Sequence, residues 1–443
     1  MAAKIPKTGW LWASFDWARS PFYFVVVIYV FAPFFAQHLV GDPVRGQALF
    51  GVAVTTAGVV MAIIAPFLGG VMDQGGAKKP VLAGLMIVLA LSSALLGLAV
   101  PGASSAVPLA MTFLVIAGCA YSVSELFHNA LLPVAGIRTE IPLISGLGLS
   151  AGSAASVLVL LAMLLASKAP PFGLTPSDVA RLSGPVCALW MGLFIIPFLR
   201  WMPDLAGAAG TWREVRILPE RWQPFAHGRA LFAQYPAVMR LLVARMIFMD
   251  GLTALFSIAG VYVAGMLGWN RAETAALGIS ATIAAVAGGF LGGWLDRRFG
   301  SRNAILIELC AITAIFIFQV GISPDALLFG AIPIDAATND AAMFAGAADR
   351  AYLYAAIPIS AFIVAAYSSC RSLLVTLSPP DQIGRFFGLY AMTSTVTVWV
   401  GPGLVTLVTV LSGSQRAGFG SLILLFVIGC ILMMRVPSTQ NNA

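Results

Sequence analysis

Six ionisable side chains interrupt long apolar runs of this chain: Asp16, Arg19, Glu125, Arg245, Asp250 and Arg371. At the centre of a bilayer each would cost about 2.5–3.5 kcal/mol on insertion scales, so each needs a partner or a wet cavity. Asp16 and Arg19 are three residues apart and can pair on one helical face. Arg245 and Asp250 are five apart and point differently, so Arg245 needs a partner on another helix. Glu125 and Arg371 each lie eight residues before a proline, Pro133 and Pro379, with opposite charge. Two readings of that pair are open. It closes in one access state and parts in the other, or it is a static link. Burial and neighbouring charge can move a carboxyl toward loading a proton. Asp250, Asp16 and Glu125 are the candidates, in that order, against the alternative of structural ion pairs or, for Asp16, a helix N-terminal role. Tyr23, seven residues after Asp16, and Tyr367, four before Arg371, can share faces with them.

Other chemistries lack their parts. Glu125 and His128 have a spacing used in metal-carboxylate proteins. Only His38 and His227 remain elsewhere, so no second ligand set exists and no metal is expected. The five cysteines stand singly in apolar runs and read as small packing residues. No nucleophile is paired with a base, so the chain is not read as an enzyme. No Walker-type loop is present, so ATP is not the energy source; no cofactor is expected beyond a proton gradient.

The elements that position these charges follow from composition. The chain has 443 residues, 60% hydrophobic and 10% charged, with mean hydropathy +0.93. Soluble proteins carry about a quarter charged residues, so this surface must face lipid. A spanning helix needs about 20 apolar residues. Twelve are predicted, over 12–36, 48–72, 80–100, 106–131, 143–167 and 183–200, then 239–266, 274–295, 304–322, 352–377, 386–411 and 417–436. The fold class is therefore all-α integral membrane. Residues 1–200 form one six-helix half, 201–238 a linker and 239–443 the other half. The net charge of +7 is spread by membrane side and not clustered, which argues against nucleic acid. Lys and Arg concentrate in inner segments. The loop between helices 9 and 10 carries Asp325, Asp335, Asp340 and Asp349. Both termini are thus expected in the cytoplasm of an inner-membrane protein, with no cleaved signal.

Internal repetition supports two halves. Gly69-Gly70-Val71-Met72-Asp73-Gln74-Gly75-Gly76-Ala77-Lys78-Lys79 is echoed by Gly292-Gly293-Trp294-Leu295-Asp296-Arg297-Arg298-Phe299-Gly300-Ser301-Arg302. Asp73 and Asp296 are expected to accept hydrogen bonds from the start of a neighbouring helix. Lys78 and Arg297 would pair with nearby carboxylates, and Gly69 and Gly292 would allow tight packing. These are the gating loops. The second has an extra residue between Asp296 and Gly300 and reads as the longer. Small residues every fourth position, Gly148, Gly152 and Ser156 on helix 5 and Gly288 and Gly292 on helix 8, let helices approach closely in lipid.

The loops resemble the signature joining helices 2 and 3 of the major facilitator superfamily. A more specific likeness is to the autophagy-related vacuolar amino-acid effluxers and their bacterial relatives, a branch once labelled "unknown major facilitator". It rests on Phe15-Asp16-Trp17-Ala18-Arg19-Ser20-Pro21-Phe22 and Phe127-His128-Asn129-Ala130-Leu131-Leu132-Pro133. Ser145-Gly146-Leu147-Gly148, Met249-Asp250-Gly251, Arg371-Ser372-Leu373, Phe386-Phe387-Gly388-Leu389-Tyr390 and Gly401-Pro402 complete it. The resemblance implies two rocking halves and a cavity between helices 1, 4, 7 and 10, with Asn129 joining the charged residues as a binding candidate. Arg19 departs from the family's usual Asn, and His128 from its usual Tyr.

A monomeric secondary transporter moving a small polar or zwitterionic, amino-acid-like solute by alternating access is the reading, with proton coupling allowed. A zwitterion suits a cavity offering both carboxylates and guanidinium groups. The rivals are an exporter of larger amphipathic or drug-like compounds and a non-transporting membrane scaffold on the same fold.

Overall fold

The computed structural model describes residues 5–205, 228–269, 271–334, 343–393, 397 and 399–438. Most of the expected linker, residues 206–227, lies outside them, as do Asp335 and Asp340. Among the described residues, ten helices are long and apolar enough to cross a bilayer. They are α1 Lys7–Leu39, α3 Lys78–Leu98, α4 Ala106–Ala130, α5 Ile141–Lys168, α6 Ser183–Trp201, α7 Pro236–Leu267, α8 Ala276–Phe299, α9 Ser301–Val320, α10 Ala347–Leu377 and α12 Gln415–Met433. An eleventh, α2, is a bent pair, Leu49–Ala65 and Phe67–Gln74, with a 47° break at Pro66, whose missing N–H interrupts the ladder. Helix 11 is described in two pieces, α11a Ile383–Met392 and α11b Val400–Ser412. This is the twelve-helix arrangement expected.

The first helix is irregular where it matters. It is α-helical over Lys7–Pro21 and widens to π geometry over Phe22–Tyr29 and Phe35–Leu39. The Val30 amide donates to the Val25 carbonyl at 2.9 Å, five residues back. Prolines at 21 and 33 lack an N–H, so the ladder must adjust around them, and such π turns collect at functional sites. The helix starts at Lys7, so Asp16 lies well inside it and does not cap its N-terminus.

The chain groups into two compact units. One comprises Met1–His227 with Ser378–Thr395; the other comprises Gly228–Leu377 with Val396–Ala443. The segment Ser378–Thr395 thus belongs with the first six helices, whereas the sequence assigns it to the second half. Glycine is the physical reason. A Cβ on Gly388 of α11a would stand 2.5 Å from the Ala65 carbonyl of α2, and one on Gly384 would stand 3.0 Å from the Gly69 carbonyl. Only bare backbones come this close.

Within the first unit, α5 lies along α1 and α3 packs between α4 and α6. A Cβ on Gly148 would meet Trp12 at 2.5 Å and Asp16 Oδ2 at 2.7 Å, and Gly152 backs onto Ser20. Within the second unit, α10 packs on both α8 and α9, and α7 packs on α12. Gly292 lies against Ala365 of α10, where a Cβ would be 2.8 Å from its Cα, and Gly288 against Ala361. Large apolar side chains such as Leu165, Leu189, Val410 and Leu411 point outward, while Ser124, Ser145, Ser156 and Ser369 are buried. Polar groups inside and bare hydrocarbon outside suit a lipid solvent. Between α9 and α10, Ala326–Leu327 pairs antiparallel with Ile332–Pro333.

The two repeated loops differ opposite to expectation. Between α2 and α3 three residues, Gly75 to Ala77, are non-helical. Between α8 and α9 only Gly300 is, with φ 79°. The residues Arg297 to Phe299 that seemed to lengthen the second loop continue α8 instead, and a left-handed glycine makes the whole turn.

Candidate functional site

The first unit brings four of the chemically capable residues together. Arg19 is buried on α1 with its Nη2 3.4 Å from Asp16 Oδ1 and its Nη1 3.5 Å from Glu125 Oε2 of α4. Nη1 also donates to the Tyr121 carbonyl at 3.1 Å. Its Cζ sits 4.1 Å from the Tyr121 ring centroid, within cation–π range. The guanidinium is thus held by two carboxylates, one carbonyl and one ring, and its Nε–H has no acceptor. Asp16 is 3% exposed, whereas the Glu125 side chain is 45% exposed. The cluster therefore has a sealed end at Asp16 and an open end at Glu125.

His128 locks the sealed end. Its ring stacks on Trp12 at 4.1 Å and on Phe15 at 4.2 Å. Trp12 Nε1 donates to the His128 carbonyl at 3.1 Å, and His128 Nε2 lies 2.9 Å from the Trp12 carbonyl. His128 Nδ1 is 3.9 Å from Asp16 Oδ1. With Nε2 carrying the proton toward Trp12, a neutral ring would face Asp16 with a lone pair and a cationic one with an N–H. Tyr23 lies in the π segment of α1, part-exposed, its ring stacked 5.7 Å from Tyr121. Asn129 is buried beside His128 on α4.

The second unit carries Arg245 and Asp250 on α7, both buried. Arg245 and Thr397 are the groups that act on the Asp250 carboxyl. Gly401 of α11b backs onto it, since a Cβ there would stand 2.6 Å from the Asp250 carbonyl. Gly148 faces the Asp16 carboxyl itself, whereas Gly401 faces the Asp250 backbone, so each unit sets one aspartate of its first helix against a glycine of its fifth, through different atoms. Arg371 is buried on α10 and Tyr367 is half-buried one turn earlier.

The loop residues divide sharply. Asp73 Oδ1 accepts from the Gly384 amide at 2.7 Å, and Oδ2 from the Arg385 amide at 2.6 Å, at the start of α11a. Lys78 turns elsewhere. Its amide and that of Lys79 donate to Asp204 at 2.9 and 3.0 Å, and its Nζ to the Leu205 carbonyl at 2.9 Å, so it fastens the start of α3 to the chain leaving α6. Asp296 is buried among Ser301, at the start of α9, and Ser369 and Ser372 of α10, and no backbone amide bonds to its oxygens. Arg297 is exposed and has no ion-pair partner among the described residues.

A family described as vacuole effluxer Atg22-like matches residues 135–442. The chain belongs to this family. The Atg22-like chain is 22% identical over its whole length to the MFS-type transporter YxiO of Bacillus subtilis, covering 97% of that protein. It is 26% identical over 71% of its length to autophagy-related protein 22 of Coccidioides immitis, of which it spans 51%. Among solved structures it resembles the major facilitator FucP, in an outward conformation, with TM-score 0.70, 16% identity and 97% of this chain and 98% of that one covered. It resembles the human organic anion transporter MFSD10 with TM-score 0.71, 12% identity and the same coverage. The Atg22-like protein is accordingly a major facilitator transporter in a lipid bilayer, acting on a small molecule and not an enzyme.

Two contributors escape a reading of charge alone. Tyr121 supplies both a carbonyl and a ring to Arg19, and its place four residues before Glu125 is the signal that could have revealed it. Trp12 and Phe15, three apart on α1, clamp His128. Nothing in an apolar run distinguishes such a clamp from ordinary packing.

Proposed function

We propose that this protein is a secondary transporter of the inner membrane, with both termini in the cytoplasm, that moves a small zwitterion of the amino-acid type by alternating access. The observation that carries the reading is the graded cluster of Asp16, Arg19 and Glu125. Arg19 spans both carboxylates, 3.4 Å from Asp16, which is sealed, and 3.5 Å from Glu125, which is open. A zwitterion can insert into that contact. Its ammonium would take the place of Arg19 at Glu125, and its carboxylate would meet the free Nε–H of Arg19. With His128 neutral the cluster holds one cation and two carboxylates. The excess negative charge favours an ammonium group at Glu125. Asp250, buried beside Arg245 and Thr397, is the first candidate to carry a coupled proton.

The test is uptake by reconstituted vesicles over a panel of amino acids, amines and carboxylates, with and without a pH gradient. Zwitterions should compete where simple amines and acids do not. Glu125→Gln should lower uptake at least tenfold, and Asp250→Asn should remove the dependence on the gradient. Uptake of large apolar cations with no response to amino acids would favour an exporter of amphipathic compounds. No flux and no ligand stabilisation would favour a scaffold.

A further inference from the structure

The aspartate of the second loop has a neighbour that the candidate site does not use. Asp296 in the last turn of α8 is 3% exposed, and Glu308 of α9 is 0% exposed. The two carboxyls act on one another electrostatically. Ser369 Oγ of α10 donates to Glu308 Oε1 at 2.9 Å. A hydroxyl has one proton, so Ser369 cannot also serve Asp296. Ser372 Oγ donates to the Ser368 carbonyl at 3.2 Å. The hydroxyls of Ser301, Ser369 and Ser372 are the side-chain groups that lie against the Asp296 carboxyl. Both of its oxygens, and Glu308 Oε2, have no hydrogen-bond partner.

No cation compensates this pair among the described residues. Arg297 and Arg298 on α8 are exposed. Arg302 on α9 donates to the Met434 carbonyl and to Asn303. Arg245 of α7 acts on Asp250 and on the Cys370 thiol of α10. Arg371 is two residues after Ser369 and so lies off the face that Ser369 and Ser372 share.

Two ionised carboxylates cannot stay side by side in a buried site without a counter-charge, because they repel and lose their hydration together. One proton removes one charge and supplies the missing donor, an O–H from one acid to an open oxygen of the other. The junction also leaves little room for an ion with its own ligand shell, since Gly292 brings α8 against the backbone of α10 at Ala365 one turn away. We propose that Asp296 and Glu308 share a single proton, making the junction of α8, α9 and α10 a proton-binding site separate from Asp16, Glu125 and Asp250. The site is independent of which solute is carried.

Infrared difference spectroscopy on the purified full-length protein, in sodium-free buffer at neutral pH, tests this without any flux. The wild type should show the C=O stretch of a protonated carboxyl shielded from solvent. Asp296→Asn and Glu308→Gln should each abolish that same band, because either amide lets the remaining acid ionise with a donor beside it. Loss of the band in one variant only would mean an ordinary protonated acid and would overturn the sharing. Ser369→Ala, which keeps both acids, covers the case in which a variant fails to fold: the band should shift in frequency and persist. An unmoved band assigns the proton elsewhere and sinks the proposal. Disappearance of the wild-type band on adding sodium, with a rise in thermal midpoint, would make this a cation site instead.

Discussion

Asp73 and Asp296 occupy equivalent places in two near-copies of one loop, each five residues before the next helix. Asp73 meets the second and third amides of α11a at 2.7 and 2.6 Å. Asp296 is buried against serines and another carboxyl, with both oxygens unbonded. The difference comes from what each helix finds to pack on. Gly69 lets α2 lie under Gly384 and Gly388 of α11a, which delivers a helix N-terminus, with its free N–H groups and positive end, to the aspartate. Gly292 lets α8 lie against the middle of α10, where every amide is already bonded within the helix. A repeated motif thus fixes where a carboxylate stands, while its partner helix decides whether that carboxylate is a latch or a buried charge in need of a proton.

The hardest way to break the first arrangement is Gly69→Val. Its side chain would run into the Gly384 carbonyl and lie 3.0 Å from Arg385 Cα, and backbone cannot step aside. Overpacking of this kind costs about 3 kcal/mol, so α11a should leave α2. Hydrogen exchange at residues 383–392 should rise strongly. Unchanged protection there would mean that the glycine contact does not hold α11a. Asp73→Asn comes next. An amide keeps one acceptor but turns an NH₂ toward the second N–H, so about 2 kcal/mol should be lost. Faster exchange of the Gly384 and Arg385 amides is the readout, and the balance of access states should shift with it.

Asp296→Asn should behave in the opposite sense. The amide removes a buried charge and offers Glu308 a donor, so the thermal midpoint should fall by less than about 1 kcal/mol equivalent, or rise. A loss as large as that from Asp73→Asn would mean that Asp296 is also a latch, and the contrast between the loops would fail.

The twelve helices were legible because lipid demands long apolar runs and glycine stripes mark close packing. Legible too were the charges on helices 1, 4, 7 and 10, since an ionisable residue stands out against hydrocarbon. What sequence could not convey was partnership. Arg297 to Phe299 read as loop because two arginines look like topology signals, yet they finish α8. Glu308 carries no signal in its own helix, because Asp296, the carboxyl that acts on it, lies on a different one. Helix 11 read as a member of the second half, because chain order does not reveal that Gly384 and Gly388 fit α2. Tyr121 was hidden for a similar reason: it serves Arg19 through a backbone carbonyl, which every residue has.

The smallest effect should come from a third capping carboxylate, which isolates the hydrogen bonds from burial. Asp178 forms a capping box with Thr175 at the start of the short helix Pro176–Arg181, accepting from its amide at 3.1 Å and its hydroxyl at 2.7 Å. Those bonds, then Arg181 at 3.2 Å, hold its carboxyl below the ordinary range. A depressed folded-state pKa means that the stabilisation is full above the unfolded carboxyl's pKa and is lost as pH falls through the folded one. Asp178→Asn should therefore lower protection of residues 176–181 slightly at neutral pH and not at all in acid below the carboxylate range. The carboxyl is open to solvent, with 35% of its side chain exposed, so screening should keep the change well under that of Asp73→Asn. An equal effect at both pH values would show that the bonds need no charge. The latch at Asp73 would then owe its strength to the close seat of α11a and not to the carboxylate that receives it.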